Sequence, residues 1–271
     1  MDLEDEDAPL VSYIHLIGNL GNQLFQIAAA YAHALRIGGT LRLSNNADFG
    51  DDTFLHKCRV CVGSPPNTPC VPEPHFHYVP IPEKAQWLHG YYQSSRYFAD
   101  VKDAVLDLFD PALRIKTLVA ERYGEYLGMT GDYEDTVVVH VRRGDYVTPS
   151  NMPVHGILTP TYFRAAMALF KEAKGPACKF LFFSDDIEYC RSVFGRDPGV
   201  ICVDEPNATL ALHLMSRFKH YIMSNSSFSW WATYLGNPAT TVIAPRSWVG
   251  PQGPQDFEDI YEPDWILLPA E

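Results

Sequence analysis

Apolar and polar positions along the chain fall into two kinds of pattern. Residues 11–17, 136–141, 179–183, 200–203, 221–223 and 241–244 form nearly continuous apolar runs and predict buried strands. Residues 22–37 differ, with apolar side chains at 24, 25, 27, 28, 31, 32 and 35, one face of a helix. Gly38-Gly39 closes that helix as a C-cap would, and Gly18-Asn19-Leu20-Gly21 makes a tight turn ahead of it. The chain therefore opens as strand, glycine-rich turn, helix. Helical periodicity returns over 95–109 and 114–127. Thr159-Pro160 supplies an N-cap followed by proline at the first helical position, starting a helix that runs to 174, with Gly175-Pro176 beyond it. Residues 44–86 carry Pro65, Pro66, Pro69, Pro72, Pro74, Pro80 and Pro82 and read as loop.

Apolar strands alternating with helices imply an α/β fold, with a parallel sheet covered on both faces. The stretch 128–135 is polar and lacks periodicity, which places a domain boundary there, between residues 1–130 and 131–271.

Composition narrows the function classes. Among 271 residues, 46% are hydrophobic, enough for a sizeable core. The 21 basic and 33 acidic residues leave a formal charge of −12. That balance argues against a general nucleic-acid partner or an anionic membrane, so any anionic ligand must meet a local positive field. No apolar run reaches the roughly 18 residues of a membrane span. The acidic start, Met1 to Asp7, lacks the layout of a signal peptide. Cys178, Cys190 and Cys202 read as reduced core thiols. These features predict a cytoplasmic protein, or a piece excised from a longer one.

In open α/β sheets ligands sit beyond the carboxyl ends of strands. Three polar segments hold that position: His140–Asp145, Ser184-Asp185-Asp186 and Ser224–Ser229. Arg142 and Arg143 offer planar charged forks suited to phosphate oxygens, with Asp145 to orient one of them. The same residues also read as a surface ion pair. Asn225, Ser226, Ser227, Phe228 and Ser229 precede a helix, where hydroxyls and backbone N–H groups hold anions or simply cap the helix. Asp185 and Asp186 suit a nucleoside, a divalent metal or a helix cap. The turn at Gly18–Gln23 is not G-x-G-x-x-G and no acidic residue follows in the right role, which excludes a nicotinamide cofactor. Asn22 and Gln23 supply the neutral hydrogen-bonding groups that recognise sugars. Cys58, Cys61, Cys70 and His56 match a zinc site only loosely, leaving zinc, a disulfide and unbonded thiols open. Trp87, Tyr91, Tyr92, Tyr97 and Phe98 suit either a core or a sugar-stacking wall. His155 lies in a loop, either solvated or within reach of an acceptor.

Four segments in order resemble the α-1,2-fucosyltransferase family: Gly18–Gln26, Val139–Tyr146, Phe183–Asp186 and Met223–Trp231. The resemblance covers residues 11 to 245. It implies a GT-B fold, two Rossmann-like domains with parallel sheets facing a central cleft, the acceptor side in 1–130 and the donor side in 131–271. It implies transfer of fucose from GDP-fucose to a sugar hydroxyl with inversion, with no cofactor and no required metal. A different linkage or acceptor, or a catalytically silent nucleotide-sugar-binding protein, are the alternatives. By the same resemblance Arg142 meets the β-phosphate, Arg143 supports the site, and His140 with Asp185 or Asp186 contacts guanosine. Ser226, Ser227 and Phe228 then cradle the diphosphate, with Ser184, Asn225 and Ser229 alongside. Asn22 faces fucose and acceptor, with Asn19 and Gln23 beside it, and Asp145 and His155 complete the catalytic candidates. The sequence departs from the family pattern at Ile17-Gly18-Asn19-Leu20, where Gly-Gly-Leu is usual, and in residues 58–82.

Overall fold

The computed structural model describes residues 10–128, 135–236 and 239–270; the acidic start and most of the polar stretch 128–135 lie outside them. The chain divides into two units. One comprises the described residues up to Asp110 together with Glu258–Ile260, and the other Pro111–Phe257 with the described residues from Tyr261. The division thus falls ahead of the helix at 113–128 rather than in the polar stretch after it.

In the first unit a four-stranded parallel sheet runs β2-β1-β4-β3, from β1 (Val11–Ile14), β2 (Thr40–Leu43), β3 (Cys70–Pro72) and β4 (Trp87–His89). β1 is shorter than its apolar run because side chains take over the ladder. Ser44 Oγ accepts from Leu16 N–H at 2.9 Å, and the Gln26 carboxamide both accepts from Ile17 N–H and donates to Ile17 O. Helix α1 (Leu20–Arg36) follows, starting two residues earlier than its apolar pattern, and buries Leu24, Phe25, Ile27, Ala28 and Ala32. It ends in a Schellman turn: Gly39 N–H bonds Ala34 O, Gly38 N–H bonds Leu35 O, and Gly38 has φ +64°. The expected helix over 95–109 is broken. Two 3-10 turns precede α2 (Lys102–Leu108), and Phe98, at φ −138°, leaves helical geometry while its fully buried ring packs on Phe25. Residues 258–260 join this unit through Asp259, which accepts from Tyr78 N–H and pairs with Arg96 at 2.8 Å.

The second unit opens with α3 (Leu113–Gly128), which packs on the later helix Ala208–Met215. Then come β5 (Thr136–Val141), α4 (Met152–His155), α5 (Pro160–Lys174), β6 (Lys179–Ser184), α6 (Ile187–Phe194), β7 (Val200–Cys202), α7 (Ala208–Met215), β8 (His220–Ile222), α8 (Ser227–Tyr234), β9 (Thr241–Pro245) and β10 (Ile266–Leu268). All six strands are parallel, in the order β10-β9-β8-β5-β6-β7. Val137, Val139, Val141, Phe180 and Phe182 pack with Phe163 and Phe170 of α5 and Phe194 of α6. Val138, Leu181 and Tyr221 are buried as well, so both faces are covered. Strand order runs outward from β5 through β6 to β7, then reverses through β8 to β10. The crevice at such a reversal, between the carboxyl ends of β5 and β8, is where doubly wound sheets bind nucleotides. No helix of the described residues is long and apolar enough to cross a membrane.

Candidate active site

β5 delivers His140 and then Arg142 and Arg143 to the reversal point. β8 delivers Ser224, Asn225 and Ser226, the last serving as N-cap of α8 with its Oγ accepting from Phe228 N–H. The two strand ends are tied by His140, which is 6% exposed. Its Nδ1 lies 2.6 Å from Ser229 Oγ and 3.1 Å from Ser224 Oγ, and its ring packs on Phe228. Burial, helped by the Arg142 charge, pushes its pKa down to about 3, so the imidazole is neutral near pH 7. A neutral ring suits its place as a hydrogen-bonded strut under the serine turn.

The arginines are held by carboxylates from β6 and from the turn after β5. Arg142 Nη1 meets Asp185 Oδ2 at 2.7 Å, and its Nη2 pairs with Asp145. Asp185 also accepts from Arg143 N–H at 2.8 Å, so one carboxylate fixes the backbone of one arginine and the guanidinium of the other. A Cβ at Gly144 would run into that carboxylate and push it off its partners. Arg143 Nε meets Asp186 Oδ2 at 3.1 Å, while its guanidinium lies 3.6 Å from the centre of the Tyr189 ring. Asp186 caps α6 through Tyr189 N–H. The two ion pairs occupy two of the five donors of Arg142, leaving a fork suited to a doubly bonded oxyanion group.

Beneath Arg142 lies a stack. Its guanidinium sits 5.0 Å from the centre of the Tyr146 ring, and that ring lies 4.2 Å from the His155 ring, nearly parallel. Tyr146 OH donates to Asn225 O. Asn225 Nδ2 donates to His155 O at 2.6 Å and to Trp248 O at 3.1 Å, closing the loop from β8 back to α4. Burial lowers the His155 pKa, opposed by Asp145.

The donor-side residues read from the sequence are thus gathered at the carboxyl ends of β5, β6 and β8, but they divide by task. Ser184, Asn225 and Ser229 spend their polar groups on other protein atoms; Ser184 Oγ, for instance, donates to Val141 O and accepts from Asp186 N–H. Ser226, Ser227 and Phe228 form the start of α8, where the helix dipole and N–H groups favour an anion. Tyr146 and Tyr189 carry no role in the sequence reading. Tyr146 follows Arg142 by four residues, a spacing that would have found it. Asn19, Asn22 and Gln23 form a separate group in the first unit. Asn19 O accepts from both Asn22 N–H and Gln23 N–H, and Gln23 Nε2 donates to Gly18 O.

Two other groups resolve. The six cysteines are unbonded, and among the described residues Cys58, Cys61, Cys70 and His56 do not gather ligand atoms around one point. Burial pushes the Cys58 thiol up to about 12. Tyr92, Tyr97 and Phe98 are buried core, whereas Tyr91 is exposed.

Comparison with known proteins places this architecture. The chain shares the fold of the fucosyltransferase NodZ from Bradyrhizobium, with a TM-score of 0.53 at 16% identity over 84% of this chain and 94% of that one. It shares it too with a mutant of FUT1 from Arabidopsis thaliana in complex with GDP, with a TM-score of 0.52 at 15% identity over 86% of this chain and 70% of that one. The shared fold, two units each built on a parallel sheet, is that of the GT-B class. More particularly, the chain belongs to glycosyl transferase family 11, whose model matches residues 70–269. An α-1,2-colitosyltransferase of Escherichia coli is 29% identical over 93% of this chain and 97% of its own length. The bovine galactoside α-(1,2)-fucosyltransferase 2 is 26% identical over 95% of this chain and 79% of its own.

Proposed function

We propose that the protein transfers L-fucose from GDP-fucose to a hydroxyl of a sugar acceptor, α-1,2 to galactose, with inversion and without a metal. The observation that carries this reading is Arg142, clamped between Asp145 and Asp185 at the sheet reversal, beside the start of α8. The fucosyl specificity is supported by the bovine relative and by the fold shared with NodZ soaked with GDP-fucose. The acceptor hydroxyl attacks C1 of fucose on the face opposite GDP; the new C1–O bond forms as the bond to the β-phosphate oxygen breaks, GDP leaves, and the hydroxyl proton passes to solvent. Negative charge grows on the departing diphosphate. Arg142 and the N-terminus of α8 are preorganised for that charge. Arg143, braced on Tyr189 and Asp186, supports the site. Asp145 orients Arg142, and His140 acts through the serine turn it holds. Asp185 and Asp186 are each paired with an arginine, a neighbouring positive charge that disfavours a cation beside them. Six unbonded cysteines suit a reducing compartment, and we place the protein in the cytoplasm.

Colitosyl transfer is the second reading, favoured by the Escherichia coli relative. The test is product analysis with a galactoside acceptor in excess EDTA, offering GDP-fucose and GDP-colitose side by side. The expected product is an α-1,2-fucosylated galactoside formed at an undiminished rate. Preference for GDP-colitose transfers the assignment to the second reading, and loss of activity in EDTA overturns the metal-free mechanism.

A further inference from the structure

A second polar arrangement, in the first unit, has the marks of a built site. Asn22 follows β1 and Gln93 follows β4, the two central strands of that sheet. Their side chains meet where ligands of parallel sheets are bound. Gln93, 8% exposed, donates from Nε2 to Asn22 Oδ1 at 2.7 Å. Beside the other end of the Asn22 carboxamide stands a glycine. Gly18 has φ +74°, and a Cβ there would lie 2.5 Å from Asn22 Nδ2. The Gln93 donor on Oδ1 sets which way the carboxamide is turned, and the glycine leaves room for its Nδ2 end.

The turn that brings Gln93 in is costly. Tyr92 has φ +52°, the left-handed region that a bulky side chain rarely adopts, and among the described residues no other non-glycine has positive φ. Such a conformation persists only where its surroundings enforce it. Here the Glu73 carboxylate accepts from Tyr91 N–H at 2.7 Å and from Tyr92 N–H at 3.0 and 3.1 Å. The Tyr92 ring is buried against Tyr97, and Ser94 N–H returns to Tyr92 O at 2.8 Å. A charged clamp, a strained residue and a nearly buried amide all serve to put one donor on Asn22 Oδ1.

We infer that Gln93 is a positioning residue, fixing the Asn22 carboxamide so that it presents a neutral hydrogen-bonding group to a sugar hydroxyl during transfer. Uncharged amides suit this ligand class, since a hydroxyl both donates and accepts and brings no charge to neutralise. The inference rests on the glycosyl-transfer reading above, which supplies the sugar.

The test compares Gln93→Leu, which removes the amide, and Gln93→Glu, which keeps its shape but has no donor at neutral pH, in wild-type and Asn22→Ala backgrounds. Both single variants should lower kcat/KM for transfer by about ten- to a hundredfold, the scale of a misplaced reacting group. The melting shift caused by GDP, which reports on the second unit, should stay at its wild-type value. In the Asn22→Ala background the same substitutions should cost nothing further, because Gln93 acts through Asn22. Wild-type kcat/KM in both variants, or an equal loss in both backgrounds, overturns the inference. If the unaltered protein neither transfers sugar nor responds to GDP, the glycosyl-transfer reading fails instead. The pairing is then read from the Asn22 side-chain amide resonances, which Gln93→Glu shifts if Gln93 holds that amide and leaves in place if it does not.

Discussion

Replacing Arg142 with alanine is expected to lower the transfer rate by about 10²–10³-fold, the usual loss when one preorganised donor to a developing oxyanion is removed. Its guanidinium is the group at the sheet reversal with two carboxylates setting its plane and an aromatic ring beneath it. The fold should survive. Asp145 is half exposed and Asp185 keeps its bond from Arg143 N–H, so neither acid is left stranded in an apolar interior. Partly exposed pairs of this kind carry about 0.2–1 kcal/mol. Arg142→Lys should recover little, because an ammonium cannot span both carboxylates and still offer a planar fork to phosphate. The measurement is kcat with GDP-fucose, with circular dichroism melting to show the variant folded. Normal turnover by folded Arg142→Ala would remove Arg142 from the mechanism.

The second large effect is acid lability. His140 has a folded-state pKa depressed to about 3 by burial and by Arg142, against about 6.5 in an unfolded chain. Below pH 6.5 the unfolded chain takes up a proton that the folded chain refuses. The contribution of this group is therefore complete above about pH 6.5 and is lost as pH falls toward 3, at about 1.4 kcal/mol per pH unit. Between about pH 7.5 and 4.5 the expected loss from His140 is about 3 kcal/mol. His33 and His155, whose pKa values burial also lowers, push the same way, so the attribution needs a variant. Urea unfolding of the wild type and His140→Gln at the two pH values supplies it. The wild type should lose about 3 kcal/mol more than the variant. Equal losses would mean that His140 protonates without penalty and does not lock the serine turn.

The parts legible in the sequence share one physical property: their signal is local. β5 and β6 are continuous apolar runs because both sheet faces are covered, and Thr159-Pro160 marks the start of α5 by backbone chemistry alone. The three polar segments were readable as one site because parallel strands deliver their carboxyl ends to one edge. The short strands β3, β4 and β10 were not readable. Each has three residues and no helix–strand alternation to frame it, unlike the equally short β7 and β8, and β3 ends on Pro72 in a proline-rich stretch. The helix expected over 95–109 failed because tertiary burial of Phe98 overrode local propensity. Within the site, the sequence left Asp185 and Asp186 open to a nucleoside, a metal or a helix cap; Asp186 does cap α6, while the ion pairs of both with Arg142 and Arg143 cross strands, which spacing does not encode. Gln93 escaped for a related reason. Positive φ is signalled in sequence by glycine or asparagine, and here a tyrosine adopts it under the hold of a glutamate 19 residues earlier.

The central claim is that the second unit binds a guanosine diphosphate sugar at the reversal between β5 and β8. Titration calorimetry with GDP, GDP-fucose, UDP and UDP-galactose, paired with melting curves, tests it most directly. GDP and GDP-fucose should bind at one site and stabilise the protein by about 2.7 kcal/mol at a hundredfold excess over Kd, with Arg142→Ala weakening both. UDP and UDP-galactose should leave the melting curve unmoved. Stabilisation by UDP equal to that by GDP, or none by either, would contradict the account.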